Sequence, residues 1–501
     1  MSNFLNHLPV LVIIFPLAAT LLCPLIGHFS RDLSKRAVIF GLFLSMVCAF
    51  IQLIQVIKNG EPIHYFIGGW MPPIGIEFVI DGLNGLIIVL VSTISWMTSL
   101  FSSPFELLER GNELRSVGYY SILCFLAVGL LGMSSTGDAF NLYVFMEITA
   151  LSGYGLIAIG EEKGPIAAFR YLMTGTIGAS MYLLGVGFLY VLTGTLNMAD
   201  LTVRLADSHD SPLIIASIAC LIIGFGIKMA LFPLHGWQPA AHSYAHPAAD
   251  PMIAGIMIKI PAYAMLRFFF CIFDKSNPII ETFFTAISIM AICGILYGSL
   301  KALRYDTYNK ILAFSSIGQV GYIAMGFAIG NFYGLVGAVL HIVSHAFMKV
   351  GLFYTSAALK YKYDIHNISE LGQVYRKMPV TSLTMVVCAL SMVGLPPFAG
   401  FFSKWYLALG AIEKGQYIFV AVLIVSSLLG VIYFFRIFEN MFMGEFKAIG
   451  TDNPVKGKFE VPWQLIIPMC IVIVAIVTLG LFNSFIINKV LKLTVLEVFL
   501  G

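Results

Sequence analysis

The chain has 501 residues, of which 59% are hydrophobic and 11% charged, with a mean hydropathy of +0.91. A soluble domain of average composition carries about 25% charged residues, so there is too little polar surface here to cover a soluble globule. The formal net charge of +3 is spread over the connections, which leaves no basic face for nucleic acid.

At about 20 residues per span, a chain of this length accommodates about fourteen membrane crossings, and the expected fold is an all-α polytopic membrane protein. Apolar runs punctuated by Gly, Pro and charged residues place spans at 8–27, 36–57, 80–101, 117–134, 138–160, 165–193, 212–235, 247–272, 279–300, 311–329, 331–358, 380–410, 417–443 and 463–487. The first run, Leu8 to Gly27, has no basic segment ahead of it and no small-residue cleavage site behind it, so it is expected to remain as a span. Between the second and third spans, Asn59 to Ile80 is rich in Gly, Pro and aromatic residues and predicts a short hairpin on the membrane surface. Asn197 to Asp210 predicts a second surface segment. Ile487 to Gly501 alternates apolar and basic residues, as a short interfacial helix does. None of the cysteines falls in C-x-x-C spacing and nearly all lie inside apolar runs, so they read as packing residues.

Basic residues set the orientation. Connections on one side of the predicted bundle hold sixteen Lys and Arg against six on the side bearing both termini. The richer side is expected to face the cytoplasm, which makes this a multi-pass protein of the cell (inner) membrane with both termini outside the cytoplasm. Seven basic residues remain inside spans: Arg170, Lys228, Lys259, Arg267, Lys349, Lys404 and Arg436.

Glu147 lies nine residues past Asp138 at a span mouth, which at 1.5 Å per residue is about 13 Å into the bilayer. Lys228 is equally deep in its own span, and Lys349 and Lys404 are central. Each such charge costs about 2.5 to 3.5 kcal/mol or more on insertion scales, so it must pair, neutralise or face water. The bland alternative is a helix-to-helix pin that never titrates. Two spans also carry prolines in mid-run, in Lys228-Met-Ala-Leu-Phe-Pro233 and Val393-Gly-Leu-Pro396-Pro397-Phe-Ala-Gly400. Both helices are expected to break there, with Lys228 five residues before one break and Lys404 seven after the other. Paired broken helices point to a transport site between repeats, although a lone mid-span proline is as readily a packing kink.

His341, His345 and Lys349 recur every four residues, so they stack along one helical face about 6 Å apart. An imidazole both accepts and donates a proton near neutrality, which gives the stripe the chemistry of a relay. A metal pair or satisfied core histidines are the alternatives, and no third ligand stands at usable spacing. His235, His242 and His246 cluster after the first break, where zinc is a minor candidate.

At these residues the sequence resembles the antiporter-like subunit family shared by complex I, energy-converting membrane hydrogenases and Mrp-type cation/proton antiporters. The matching pieces are Asp81-Gly-Leu-Asn, Asn141 to Gly155, Lys228 to Trp237, Gly255 to Arg267, Asp306 to Tyr322, His341 to Phe353 and Gly394 to Trp405. The resemblance implies two inverted five-helix repeats, each with one broken helix. Residues 1–116 would then hold three helices and the surface hairpin, 117–272 the first repeat, 279–443 the second, and 444–501 the last helix with its interfacial segment. It also implies a charged axis of Glu147, Lys228, Lys259, Lys349 and Lys404, with His341 and His345 beside Lys349 and Arg170 flanking the glutamate. Two departures stand out: Gln238-Pro-Ala-Ala follows Trp237 where many relatives have Leu-Pro-Asp-Ala, and Asn309-Lys310 stands where Lys-Arg is common. The first removes a carboxylate near a channel mouth.

Making and breaking a Glu147–Lys228 pair would load and release a proton at Lys228, which would pass through Lys259 and the histidine stripe to Lys404. Length and the lack of a long C-terminal lateral helix make the Mrp D subunit the best match, in a multisubunit assembly exchanging protons for a cation such as Na+. The alternative is the proton-pumping subunit of a redox complex, either complex I or a membrane hydrogenase. A stand-alone carrier of an organic substrate would need a midplane cavity with fewer in-line lysines. No C-x-x-C-H, cysteine cluster or Gly-rich dinucleotide fingerprint is present, so no cofactor is expected in this chain.

Overall fold

The computed structural model describes residues 5–105, 113–206, 211–273, 278–445 and 460–491. In chain order the first half holds α1 (Leu8–Gly27), α2 (Arg31–Asn59), β1 (Ile63–Phe66), β2 (Glu77–Ile80), α3 (Gly82–Phe101), α4 (Glu113–Ser135), α5 (Ala139–Ala158), α6 (Gly164–Thr193), the surface helix α7 (Met198–Leu205), α8 (Pro212–Lys228), the short α9 (Gln238–Tyr244) and α10 (Asp250–Ile272). The second half holds α11 (Pro278–Ala302), α12 (Tyr308–Ile329), α13 (Phe332–Tyr363), α14 (Pro379–Val393), α15 (Ala399–Glu413), α16 (Tyr417–Met443) and α17 (Trp463–Leu481). Twelve helices among the described residues are long and apolar enough to cross a membrane, and α8 and α14 are shorter apolar helices. Those two are the leading halves of the spans expected to break.

Both breaks have a visible cause. Proline at position 233 lacks an N–H and its ring collides with the carbonyl four residues earlier, so α8 ends at Lys228 and Ala230 turns into the left-handed region at φ 58°. The first break therefore begins directly after the lysine, not five residues beyond it as the proline position alone suggested. In the second, Gly394 at φ +92° ends α14, a conformation glycine adopts without a Cβ penalty. The prolines that follow keep the chain unwound until α15 starts at Ala399.

Polar contacts between connections confirm which loops share a face. Strands β1 and β2 pair antiparallel with Ile63 opposite Ile80, forming the predicted hairpin. Asn197, the N-cap of α7, donates its side-chain amide to Glu77 on β2 at 2.7 Å, and Arg267 at the end of α10 pairs with Asp81 at the start of α3. On the opposite face Lys360 pairs with Glu161, Thr307 bridges to Asn367, and Arg436 reaches Asp306 at 2.5 Å. Arg267 and Arg436, counted among the in-span cations, thus sit at span mouths in ion pairs. Of the predicted interfacial tail only the turn Ile487–Leu491 is described; residues 492–501 lie outside the described residues.

Asn197→Ala removes a donor from a buried carboxylate, a loss worth about 1 to 3 kcal/mol. The variant is expected to show a lower thermal unfolding midpoint in detergent with its span content, read by circular dichroism, unchanged.

The core centres on α12 and α13, whose spanning windows are wholly buried by their neighbours. Helices α1, α2, α6 and α16 lie at the margin of the bundle and leave large apolar side chains such as Leu21, Phe40, Phe169 and Leu428 exposed, as lipid- or subunit-facing helices do.

Candidate functional site

Lys228 is the last residue of α8, where the broken helix leaves carbonyls without intrahelical partners. One of these, Ile227 O, accepts from the indole Nε1 of Trp237 at 2.9 Å, and that indole stacks on Tyr171 with centroids 3.8 Å apart. The motif tryptophan thereby closes the break and holds it against α6. The Lys228 ammonium reaches Glu147 on α5 at 3.2 Å; the lysine side chain is 3% exposed and the glutamate 28%. Buried charge is met by charge, while the glutamate keeps an opening to the bundle's outer face.

Lys259 follows a π-helical turn, Ile253–Met257, and its ammonium donates to the Ala254 carbonyl within that turn. Such turns widen the helix and release backbone groups, and they occur often at functional sites. On α13, His341, His345 and Lys349 are fully buried. The two imidazoles lie nearly parallel, 14° apart in plane, with centroids separated by 5.6 Å. Lys349 donates to Leu312 O at 2.7 Å and to Ser315 Oγ at 2.6 Å on α12. Among the described residues neither ring nitrogen of His345, nor Nε2 of His341, has a hydrogen-bond partner.

Lys404 sits five residues past the start of α15 and turns back to the end of α14, donating to Met392 O and Val393 O, both at 2.9 Å. Its third proton goes to Ser427 Oγ at 3.1 Å. Orphan carbonyls at a helix C-terminus carry partial negative charge, so the second break solvates an ammonium with backbone dipoles where the first supplies a carboxylate. Tyr322 joins the two parts: its ring lies 5.1 Å from the Lys404 ammonium and edge-on to His341 at 5.3 Å. Ser403 Oγ is 2.9 Å from His341 Nδ1.

The structure thus gathers Lys349, His345, His341 and Lys404 into one file, with Lys259 within electrostatic reach of both histidines. Among the described residues no hydrogen bond joins Lys228 to Lys259. Arg170 lies exposed on α6, and no ion pair with Glu147 is formed among the described residues. The three candidate zinc histidines part company. His242 pairs through Nδ1 with Asp250 at 2.7 Å, both side chains buried, His235 stacks on Phe232, and His246 packs edge-on against Phe105.

Sequence reasoning missed several polar partners. Asp250 is a lone carboxylate opening a 23-residue apolar run, a signal of the same kind that singled out Glu147, and it lies within electrostatic reach of Lys349. Ser315, Ser403, Ser427 and Tyr322 carry no such signal, because hydroxyls are ordinary in spans.

A helical bundle with two broken helices and a file of buried lysines and histidines between them is the architecture of an antiporter-like membrane subunit. The chain belongs to the NADH:quinone oxidoreductase/Mrp antiporter transmembrane family, which it matches over residues 136–430. It is 41% identical over 494 residues, 97% of this chain and 98% of the other, to the NADH-quinone oxidoreductase subunit N of Desulforudis audaxviator strain MP104C. It is 33% identical over 439 residues, 86% of this chain and 85% of the other, to a Staphylococcus saprophyticus protein with the provisional name antiporter subunit mnhD2. Among solved structures it superposes on a chain of the membrane-bound sulfane sulfur reductase, an archaeal respiratory membrane complex, with a TM-score of 0.88 and 29% identity over 98% of both chains. Membership makes this a multi-pass antiporter-like subunit of ion and proton transport.

Proposed function

We propose that this chain carries protons across the membrane along Glu147–Lys228, Lys259, the Lys349–His345–His341 stripe and Lys404, with Arg170 as a flanking charge at the outer face. The observation that carries this reading is the 3.2 Å Lys228–Glu147 pair at the end of a broken helix. An ammonium taken out of water keeps its proton beside a carboxylate and sheds it when the carboxylate withdraws. A neighbouring subunit facing the partly open side of Glu147 supplies the displacement. The pair loads and unloads Lys228, and the two buried histidines pass the proton onward by accepting at one ring nitrogen and donating from the other.

The repeats are assigned to residues 117–272 and 279–443, supported by one broken helix at the fourth place of each. The excess of basic residues in the connections on one face supports a cell-membrane orientation with both termini outside the cytoplasm. Other membrane subunits complete the machine. The likeness to mnhD2 supports a cation/proton antiporter with Na+ as the exchanged ion, and the higher identity to a subunit N supports a second reading, the proton pump of a redox complex.

Purifying the native assembly, identifying its subunits and reconstituting it in vesicles tests both readings. Proton movement driven by a Na+ gradient is expected for the antiporter; flavin or iron–sulfur partners and movement driven by electron transfer establish the redox complex. Vesicles that contain the assembled chain and move no protons under either drive overturn the function.

A further inference from the structure

Helix α10 carries polar groups beyond Lys259, toward the hairpin face. Tyr263 and Arg267 follow at intervals of four, so all three share one side of the helix, and helical side chains lean toward the N-terminus, bringing Tyr263 back over Lys259. Tyr263 is buried, and its hydroxyl accepts from Arg267 Nε at 2.8 Å and donates to the Ser134 carbonyl at 3.4 Å. Arg267 is held by Asp81, whose other oxygen caps α3 through the amides of Leu83 and Asn84, both at 2.9 Å.

Past this anchor lies a cavity of about 360 Å³ beneath the β-hairpin, with Tyr263, Arg267, Glu77 and His64 in its wall. That is many times the roughly 10–15 Å³ that a single water requires. Glu77 is buried at the cavity's edge, accepting from Asn197 and lying 3.1 Å from Nδ1 of the half-exposed His64.

We propose that the Tyr263 hydroxyl connects Lys259 to this cavity and makes it the proton port on the hairpin face, with Glu77 and His64 exchanging protons at its mouth. The proton leaves Lys259 on a water and forms an O–H bond on the free lone pair of the phenol. The phenol's existing O–H turns from the Ser134 carbonyl to a cavity water and breaks toward it as the new bond forms, so that Tyr263 is neutral before and after. The proposal rests on the charged axis described above.

The test uses the native assembly in vesicles, with proton flux expressed per assembled complex so that a structural role, which lowers assembly instead, is kept apart. Tyr263→Phe keeps the ring and is expected to lose on the order of a hundredfold in flux, the lower end of the scale for a removed proton-transfer group. Independently, Ala199→Cys in a Cys271→Ser background places a thiol on the cavity wall. A membrane-impermeant methanethiosulfonate is expected to block flux when added on the hairpin face only. Flux within twofold of the parent in Tyr263→Phe, or undiminished flux after Ala199→Cys is modified, overturns the port. Lys228→Ala run alongside separates the claims: its loss of flux beside a fully active Tyr263→Phe leaves the axis standing and removes the port, whereas full activity in Lys228→Ala overturns both.

Discussion

Lys228→Ala is expected to abolish proton transport while the subunit still assembles. At 3.2 Å and an effective dielectric near 20, the attraction between this ammonium and Glu147 is about 5 kcal/mol, so parting the pair removes what holds the proton on a lysine taken out of water. Alanine is a good helix former, and the Trp237 bond that closes the break goes to the backbone of Ile227, so the fold survives. Glu147→Gln removes the charge and keeps an acceptor oxygen; it is expected to leave Lys228 without the field that controls its proton, and to lose coupled transport to a similar degree. Flux in vesicles against assembly on native gels is the measurement. Assembled variants with parent-like flux remove this pair from the mechanism.

Gly400→Ala is expected to have the largest effect on stability. A Cβ there would collide with the backbone carbonyl of Ser391, and the Gly400 amide already donates to Ser391 Oγ at 3.1 Å. Because the obstacle is backbone, no rotamer change relieves it. The two halves of the break must move apart, at a cost at the upper end of the about 1–3 kcal/mol usual for overpacking. Lys404 then loses the Met392 and Val393 carbonyls, so transport falls along with the unfolding midpoint. Gly187→Ala, whose added Cβ would meet no atom within 4 Å, is the control and is expected to unfold no earlier than the parent. Equal midpoints and equal flux for the two variants would show that the break tolerates separation.

How much of this was legible beforehand depends on the range of the interaction concerned. Crossing a bilayer is a local demand, about 20 apolar residues with every backbone group satisfied within the segment, so the spans, the surface hairpin and the two breaks stand in the sequence. The breaks were misplaced only at their edges, since a proline disturbs the turn before it as well as its own position. Buried lysines are legible for the same reason: a charge in an apolar run is costly wherever the helix packs.

Partners are another matter. Lys228 and Glu147 are 81 positions apart, and Arg267 and Asp81 are 186 apart; nothing local distinguishes Arg267, tied off in an ion pair at a span mouth, from Lys259, buried in mid-membrane. Arg170 illustrates the converse, a cation that the family resemblance sets beside the glutamate and that lies exposed on α6. The sequence by itself determined that this is a polytopic membrane protein with two broken helices, four deeply buried lysines and a histidine stripe. Only the tertiary structure decided that one break answers its lysine with a carboxylate and the other with bare carbonyls, because a helix terminus offers its dipole to whatever the packing brings against it.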